Sequence, residues 1–184
     1  IKIEDVFQKN ISFREISFCQ NYIFWLGSIK DKKVQRNAIF LRPFNKQQLC
    51  PQNLVGDNFF IKSFYHGYGG SSYQCLEING IINLFWFDQI SKSFWRKTFK
   101  VNQRKNPKPG EYLIAEETYQ LTDAEDVNAD CKFCLINQKI IVGILEKNDK
   151  DYLFSIDIEK NKQNLNLLKQ FENFASNLSS MSCN

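Results

Sequence analysis

Tyr73-Gln74-Cys75-Leu76-Glu77-Ile78-Asn79-Gly80-Ile81-Ile82-Asn83-Leu84-Phe85-Trp86-Phe87 reads as two β-strands joined by a two-residue turn. A type I′ turn needs positive φ at its central residues, and Asn-Gly tolerates that better than other pairs. The flanking runs are rich in β-branched and aromatic residues, which suit a pleated, half-buried surface. Two other segments share this plan of a short polar break between apolar runs. They are Ile16-Ser17-Phe18-Cys19-Gln20-Asn21-Tyr22-Ile23-Phe24-Trp25-Leu26 and Cys131-Lys132-Phe133-Cys134-Leu135-Ile136-Asn137-Gln138-Lys139-Ile140-Ile141-Val142-Gly143-Ile144-Leu145. Asn21, Asn79 and Asn137 occupy corresponding points, 58 residues apart in both intervals, and that equal spacing is an internal repeat.

A third β-like run follows each hairpin: Asn37–Leu41, Ser93–Phe99 and Tyr152–Ile158. A fourth is visible as Leu165–Phe171 and weakly as Gln48-Leu49-Cys50. Four antiparallel strands per repeat is the count of a β-propeller blade. The expected fold is therefore all-β, a partial propeller of about three four-stranded blades near residues 11–54, 72–105 and 127–172. Leu165, Leu168 and Phe171 also fit a helical period, so a short helix at Asn164–Phe174 is the competing reading there. The repeat is longer than the roughly 40–50 residues of ordinary blades, which assigns the excess to loops at Pro51–Ser72 and Lys100–Asp126. Phe174–Asn184 resembles the first strand of a fourth blade that stops near its turn, the expectation for a piece of a longer chain. Open sheet edges in such a piece would pair with a second copy.

Composition bounds what such a chain does. Among its 184 residues 43% are hydrophobic, 24% charged and 15% aromatic, which fits a globular protein with a ring-rich core. A net charge of +4 is too small and dispersed to point to nucleic acid. No apolar run reaches the roughly 18 residues of a membrane-spanning helix, and no signal-peptide pattern opens the chain, so the expected location is cytoplasmic. The six cysteines lack the tight spacing of a secreted scaffold and are expected as thiols. Cys131-Lys132-Phe133-Cys134 has no second CxxC or His pair to complete a zinc site, and residues i and i+3 of a strand face opposite ways. No metal or other cofactor is expected. A hydrolase nucleophile needs a G-x-S-x-G elbow with a later Asp and His, and neither the elbow nor a second histidine is present. Glu116-Glu117 and the run Asp123, Glu125, Asp126 read as solvated loop charge.

Phe64-Tyr65-His66-Gly67-Tyr68-Gly69-Gly70-Ser71-Ser72-Tyr73, followed by Leu84-Phe85-Trp86-Phe87-Asp88-Gln89 and then Phe94-Trp95-Arg96, resembles the propeller of prolyl-oligopeptidase-family serine peptidases. The bacterial acylaminoacyl-peptidase and dipeptidyl-peptidase-like members come nearest, with a His-Glu-Tyr-Gly-Gly-Gly element ahead of a strand and an Asp-Gln turn. Tyr22–Leu26, Gln120-Leu121-Thr122, Asn128-Ala129-Asp130 and Phe171–Ser176 also fit, so the resemblance spans nearly the whole chain. It departs at Gly67, where the family has Glu, and at Ser71, where a third Gly is common. The resemblance implies a non-catalytic propeller segment that gates a separate α/β-hydrolase domain of the same polypeptide, the domain that cleaves the parent's peptide substrates. His66, Tyr68, Gly69 and Gly70 are then the candidates for a substrate-access loop, with no catalytic residue in this chain. The alternative is a standalone propeller scaffold that binds a protein or ligand.

Overall fold

The structure, a computed structural model, describes residues 13–30, 35–45, 50–55, 58–67, 69–104 and 108–171. Among these residues no α-helix occurs. The strands are β1 Arg14–Cys19, β2 Tyr22–Lys30, β3 Gln35–Pro43, β4 Gln52–Asn53, β5 Tyr73–Ile78, β6 Ile81–Asp88, β7 Ser93–Val101, β8 Leu113–Gln120, β9 Asn128–Ile136, β10 Ile140–Lys147, β11 Lys150–Asp157 and β12 Asn166–Phe171. They form three four-stranded sheets, β1–β4, β5–β8 and β9–β12, each taking its strands in chain order. This is the meander of a propeller blade, made three times.

Turn chemistry accounts for the hairpins. Asn79 and Gly80 both have positive φ (52° and 77°), the type I′ requirement. Asn137 and Gln138 lie there too, within a three-residue loop closed by Ile136 opposite Ile140. The first hairpin differs. Cys19 pairs with Tyr22, and the positive φ falls on Gln20 rather than Asn21. The equal asparagine spacing therefore marks the repeat but misplaces that turn by one residue. Asn148-Asp149, both at positive φ, join β10 to β11 with unbroken register from Ile140–Asp157 to Lys147–Lys150.

The segment expected as loop, Lys100–Asp126, contains β8, so the second sheet runs to Gln120 instead of ending near 105. Among Leu-Ile-Ala-Glu-Glu-Thr-Tyr-Gln only Leu113 is buried. As an outermost strand it needs no alternating apolar face, and its two glutamates disguise it. β4 is only Gln52–Asn53, just past the expected Gln48–Cys50, of which Gln48 and Leu49 lie outside the described residues. Asn166–Phe171 is a strand and not the competing helix; its Leu167 and Leu168 are exposed because it too is an edge. Phe174–Asn184, the expected start of a fourth blade, lies outside the described residues. Cys19, Cys50, Cys75 and Cys131 are free thiols, whereas Cys134 is disulfide-bonded, against the expectation that all six are reduced.

The chain divides into two compact units. One holds the described residues up to Ile61 with Cys75–Asn83 and Thr98–Glu117; the other holds Lys62–Gln74, Leu84–Lys97 and the described residues from Thr118. In the first, β2 and β3 pair Phe24 with Leu41 and Leu26 with Ile39, all buried, while Trp25 stacks on Phe40 at 5.7 Å on the other face. The fully apolar Phe24-Trp25-Leu26 run follows from burial on both faces. Gln52 fastens the outer strands of this unit: its Oε1 accepts from the Tyr112 and Leu113 amides, and its Nε2 donates to the Leu113 carbonyl.

In the second unit Phe94 lies 5.1 Å from Phe154 and 5.9 Å from Phe133, which meets Phe85 edge-on. Gly143 makes this cluster possible, since a Cβ there would sit 2.8 Å from the Phe133 ring and 2.9 Å from that of Phe154. β9 bulges opposite the same glycine: Val142 faces Cys134, but Ile144 already faces Asp130. The Gln74 side chain satisfies the bulge, its Nε2 donating to the Phe133 carbonyl and its Oε1 accepting from the Phe133 amide. An amide side chain there does the work of a strand partner.

Candidate functional site

Lys62–Ser72 leads into β5 within the second unit, and Ser63 organises it. The buried Ser63 hydroxyl donates to the Ala129 carbonyl at 2.8 Å and accepts from the amides of Gly70 (2.8 Å) and Tyr65 (3.2 Å). One side chain thus ties both ends of the loop to β9. Gly69 has φ 87° and its amide bonds the Tyr65 carbonyl, closing a turn that L-residues resist. Gly70 is required for a different reason. A Cβ there would lie 2.7 Å from the Cγ of Asp130, whose Oδ1 accepts from the amides of Ser71 (2.9 Å) and Lys132 (3.1 Å). Burial holds the Asp130 carboxyl above the usual range despite these bonds.

A 3-10 turn at Tyr65–Gly67 places His66 at φ 49°, the left-handed region that His tolerates better than most residues. Its imidazole Nε2 lies 3.0 and 3.1 Å from the two Asp151 oxygens, its amide donates to Glu146 Oε2 at 3.0 Å, and its Nδ1 is 3.9 Å from Glu146 Oε1. Glu146 and Asp151 are cross-strand partners on β10 and β11. The Tyr65 ring packs 4.2 Å from the imidazole. Burial, then the Asp151 carboxylate, push the Tyr65 phenol well above the usual tyrosine range.

Of the residues expected from sequence, His66, Gly69 and Gly70 come together in this loop, and Tyr68 lies outside the described residues. Tyr65, Ser63, Asp130, Glu146 and Asp151 were missed. The available signal was a carboxylate at an inward strand position: Asp130 and Asp151 are buried, and buried acids are rare unless paired. Among the described residues no group of three or more His, Cys, Asp or Glu is arranged to hold a metal. Among the described residues the imidazole faces carboxylates with both nitrogens. The geometry fastens a loop.

No protein-family profile matches the sequence. No curated protein matches it either. Among solved structures, a Mycobacterium tuberculosis puromycin-hydrolyzing peptidase is similar, with a TM-score of 0.65 and 11% identity over 95% of this chain and 26% of that one. The likeness is one of fold. This chain is built like a segment of that peptidase and spans about a quarter of its length. No helix among the described residues is long and apolar enough to cross a membrane.

Proposed function

We propose that this chain is a non-catalytic propeller segment of a prolyl-oligopeptidase-family serine peptidase, shaping access of peptides to a separate α/β-hydrolase domain of the same cytoplasmic polypeptide. The observation that carries the reading is the likeness of nearly the whole chain to part of a peptidase. The Lys62–Ser72 segment, with His66, Tyr68, Gly69 and Gly70, is in this reading a substrate-access loop. Its support is rigidity. Ser63, Asp130 and Glu146 hold the backbone and Asp151 the His66 ring, and a held loop presents its exposed atoms to an entering peptide at low entropic cost.

A fluorophosphonate probe applied to the full-length product of the parent reading frame tests this. The expected result is a labelled serine outside residues 1–184, together with hydrolysis of short peptides. Labelling inside residues 1–184 overturns the non-catalytic assignment. A full-length product that takes no label and hydrolyses no peptide overturns the peptidase assignment in favour of a binding scaffold.

A further inference from the structure

Cys19 ends β1 and Cys75 lies in the middle of β5, both in the first unit. The two are free, both are buried to the same degree at 8% exposure, and their side chains hydrogen-bond each other. They are not equivalent. The bond from Cys75 holds the Cys19 thiol below its ordinary range, while burial pushes the Cys75 thiol far above it. Of the two, Cys19 is therefore the one that ionises first, and Cys75 is the donor. Cys19 also adjoins the exposed hairpin residues Gln20 and Asn21. A thiolate beside a protonated second thiol is the arrangement of an attacking and a resolving cysteine.

We infer that Cys19 and Cys75 form a redox pair in which Cys19 reacts first with a peroxide and Cys75 then closes a disulfide between the first strands of the first and second sheets. In the first step the Cys19 thiolate displaces hydroxide from hydrogen peroxide, giving a sulfenic acid; a proton converts the hydroxide to water. In the second step the Cys75 sulfur attacks the Cys19 sulfur, the S–O bond breaks, and the Cys75 proton leaves with the hydroxyl as a second water. Two electrons pass from the thiols to the peroxide. The product joins β1 to β5 covalently, and β1 is otherwise an edge strand held by β2 alone within its sheet. A reducing thiol reverses the step.

The 184-residue chain, reduced and then treated with hydrogen peroxide in dilute solution, is digested without reduction and mapped by mass spectrometry. The expected product is a Cys19–Cys75 linked peptide that disappears on reduction. Cys75→Ser should stop at a Cys19 sulfenic acid that a dimedone tag captures, and Cys19→Ser should leave Cys75 untagged. Wild-type alkylation gives a second readout that needs no variant: Cys19 should label several-fold faster than Cys75 at neutral pH. Peroxide that links other cysteines while leaving these two reduced overturns the inference. So does Cys75 labelling as fast as Cys19, or a Cys75 that is tagged in Cys19→Ser.

Discussion

Gly70→Ala is the substitution on which the account of the loop is most exposed. The added Cβ would lie 2.7 Å from Asp130 Cγ, 2.9 Å from its Cβ and 3.0 Å from its Oδ1. Asp130 has little room to yield, because it is buried and its Oδ1 holds two backbone amides. Overpacking of this kind costs about 1–3 kcal/mol. Moving the carboxylate also weakens bonds to a charged acceptor, each worth about 1.5–3 kcal/mol. Against this, alanine restricts the unfolded chain and returns about 0.4–1 kcal/mol. The φ of Gly70 is not in the left-handed region, so no backbone strain is added. The net loss is about 2–4 kcal/mol, which at a urea m-value near 2 kcal/mol/M moves the unfolding midpoint down by on the order of 1–2 M. A double-mutant cycle isolates the cause. In an Asp130→Gly background the same Gly70→Ala change should be neutral or slightly stabilising, since all three atoms it strikes are gone. An equal loss in both backgrounds would refute the clash with Asp130 as the reason for the glycine.

Gly143→Ala should destabilise by about 1–3 kcal/mol in urea unfolding, because its Cβ meets the Phe133 and Phe154 rings, and Phe133→Leu should recover part of that loss. Gly80→Ala has no atom within 4 Å of the new Cβ, so its cost of about 1 kcal/mol should come from φ 77° alone, and Gly80→Asn should restore most of it. Asp130→Asn tests a proton linkage. The native carboxyl binds its proton more tightly than the unfolded one, so this group's contribution is greatest below the ordinary carboxyl pKa and is lost as pH rises through the raised value. Asn keeps an acceptor for Ser71 and Lys132, and its urea midpoint should fall less than that of wild type between pH 4 and neutrality, by an amount that calorimetry can check.

Local chemistry made most of the architecture legible. Asn79-Gly80 and the apolar runs beside it specify a hairpin without help from distant residues, and repetition at Asn137 extends the same reading to the third sheet. What failed were elements without a face to bury. β8 carries Glu116 and Glu117 on an exposed outer strand, and Glu116 pairs with Lys100 instead of floating in a loop. The site failed for another reason. The bonds that define it join residues 59, 80 and 85 apart in sequence. No window of sequence contains both partners, so the loop could be singled out by its glycines while the acids that hold it could not.

The repeat nevertheless explains how those acids became available. Asp88 and Glu146 stand 58 residues apart at the same point of their blades, near the end of the second strand. Asp88 is used locally. The turn after it has four residues, Gln89–Lys92, and its Oδ2 accepts from both the amide and the hydroxyl of Ser91 to hold that turn. In the third sheet the corresponding turn is shortened to Asn148-Asp149, two residues at positive φ whose backbone closes the hairpin unaided. Glu146 is released from capping, and shortening brings Asp151 directly across from it. Two carboxylates in that relation repel each other. The arrangement becomes stable when a donor from outside the sheet serves both, and His66 does so with its amide on Glu146 and its ring on Asp151. The shortened turn and the left-handed histidine are thus two halves of one adaptation, and a blade that kept the four-residue turn would have no pair of acids placed to hold His66.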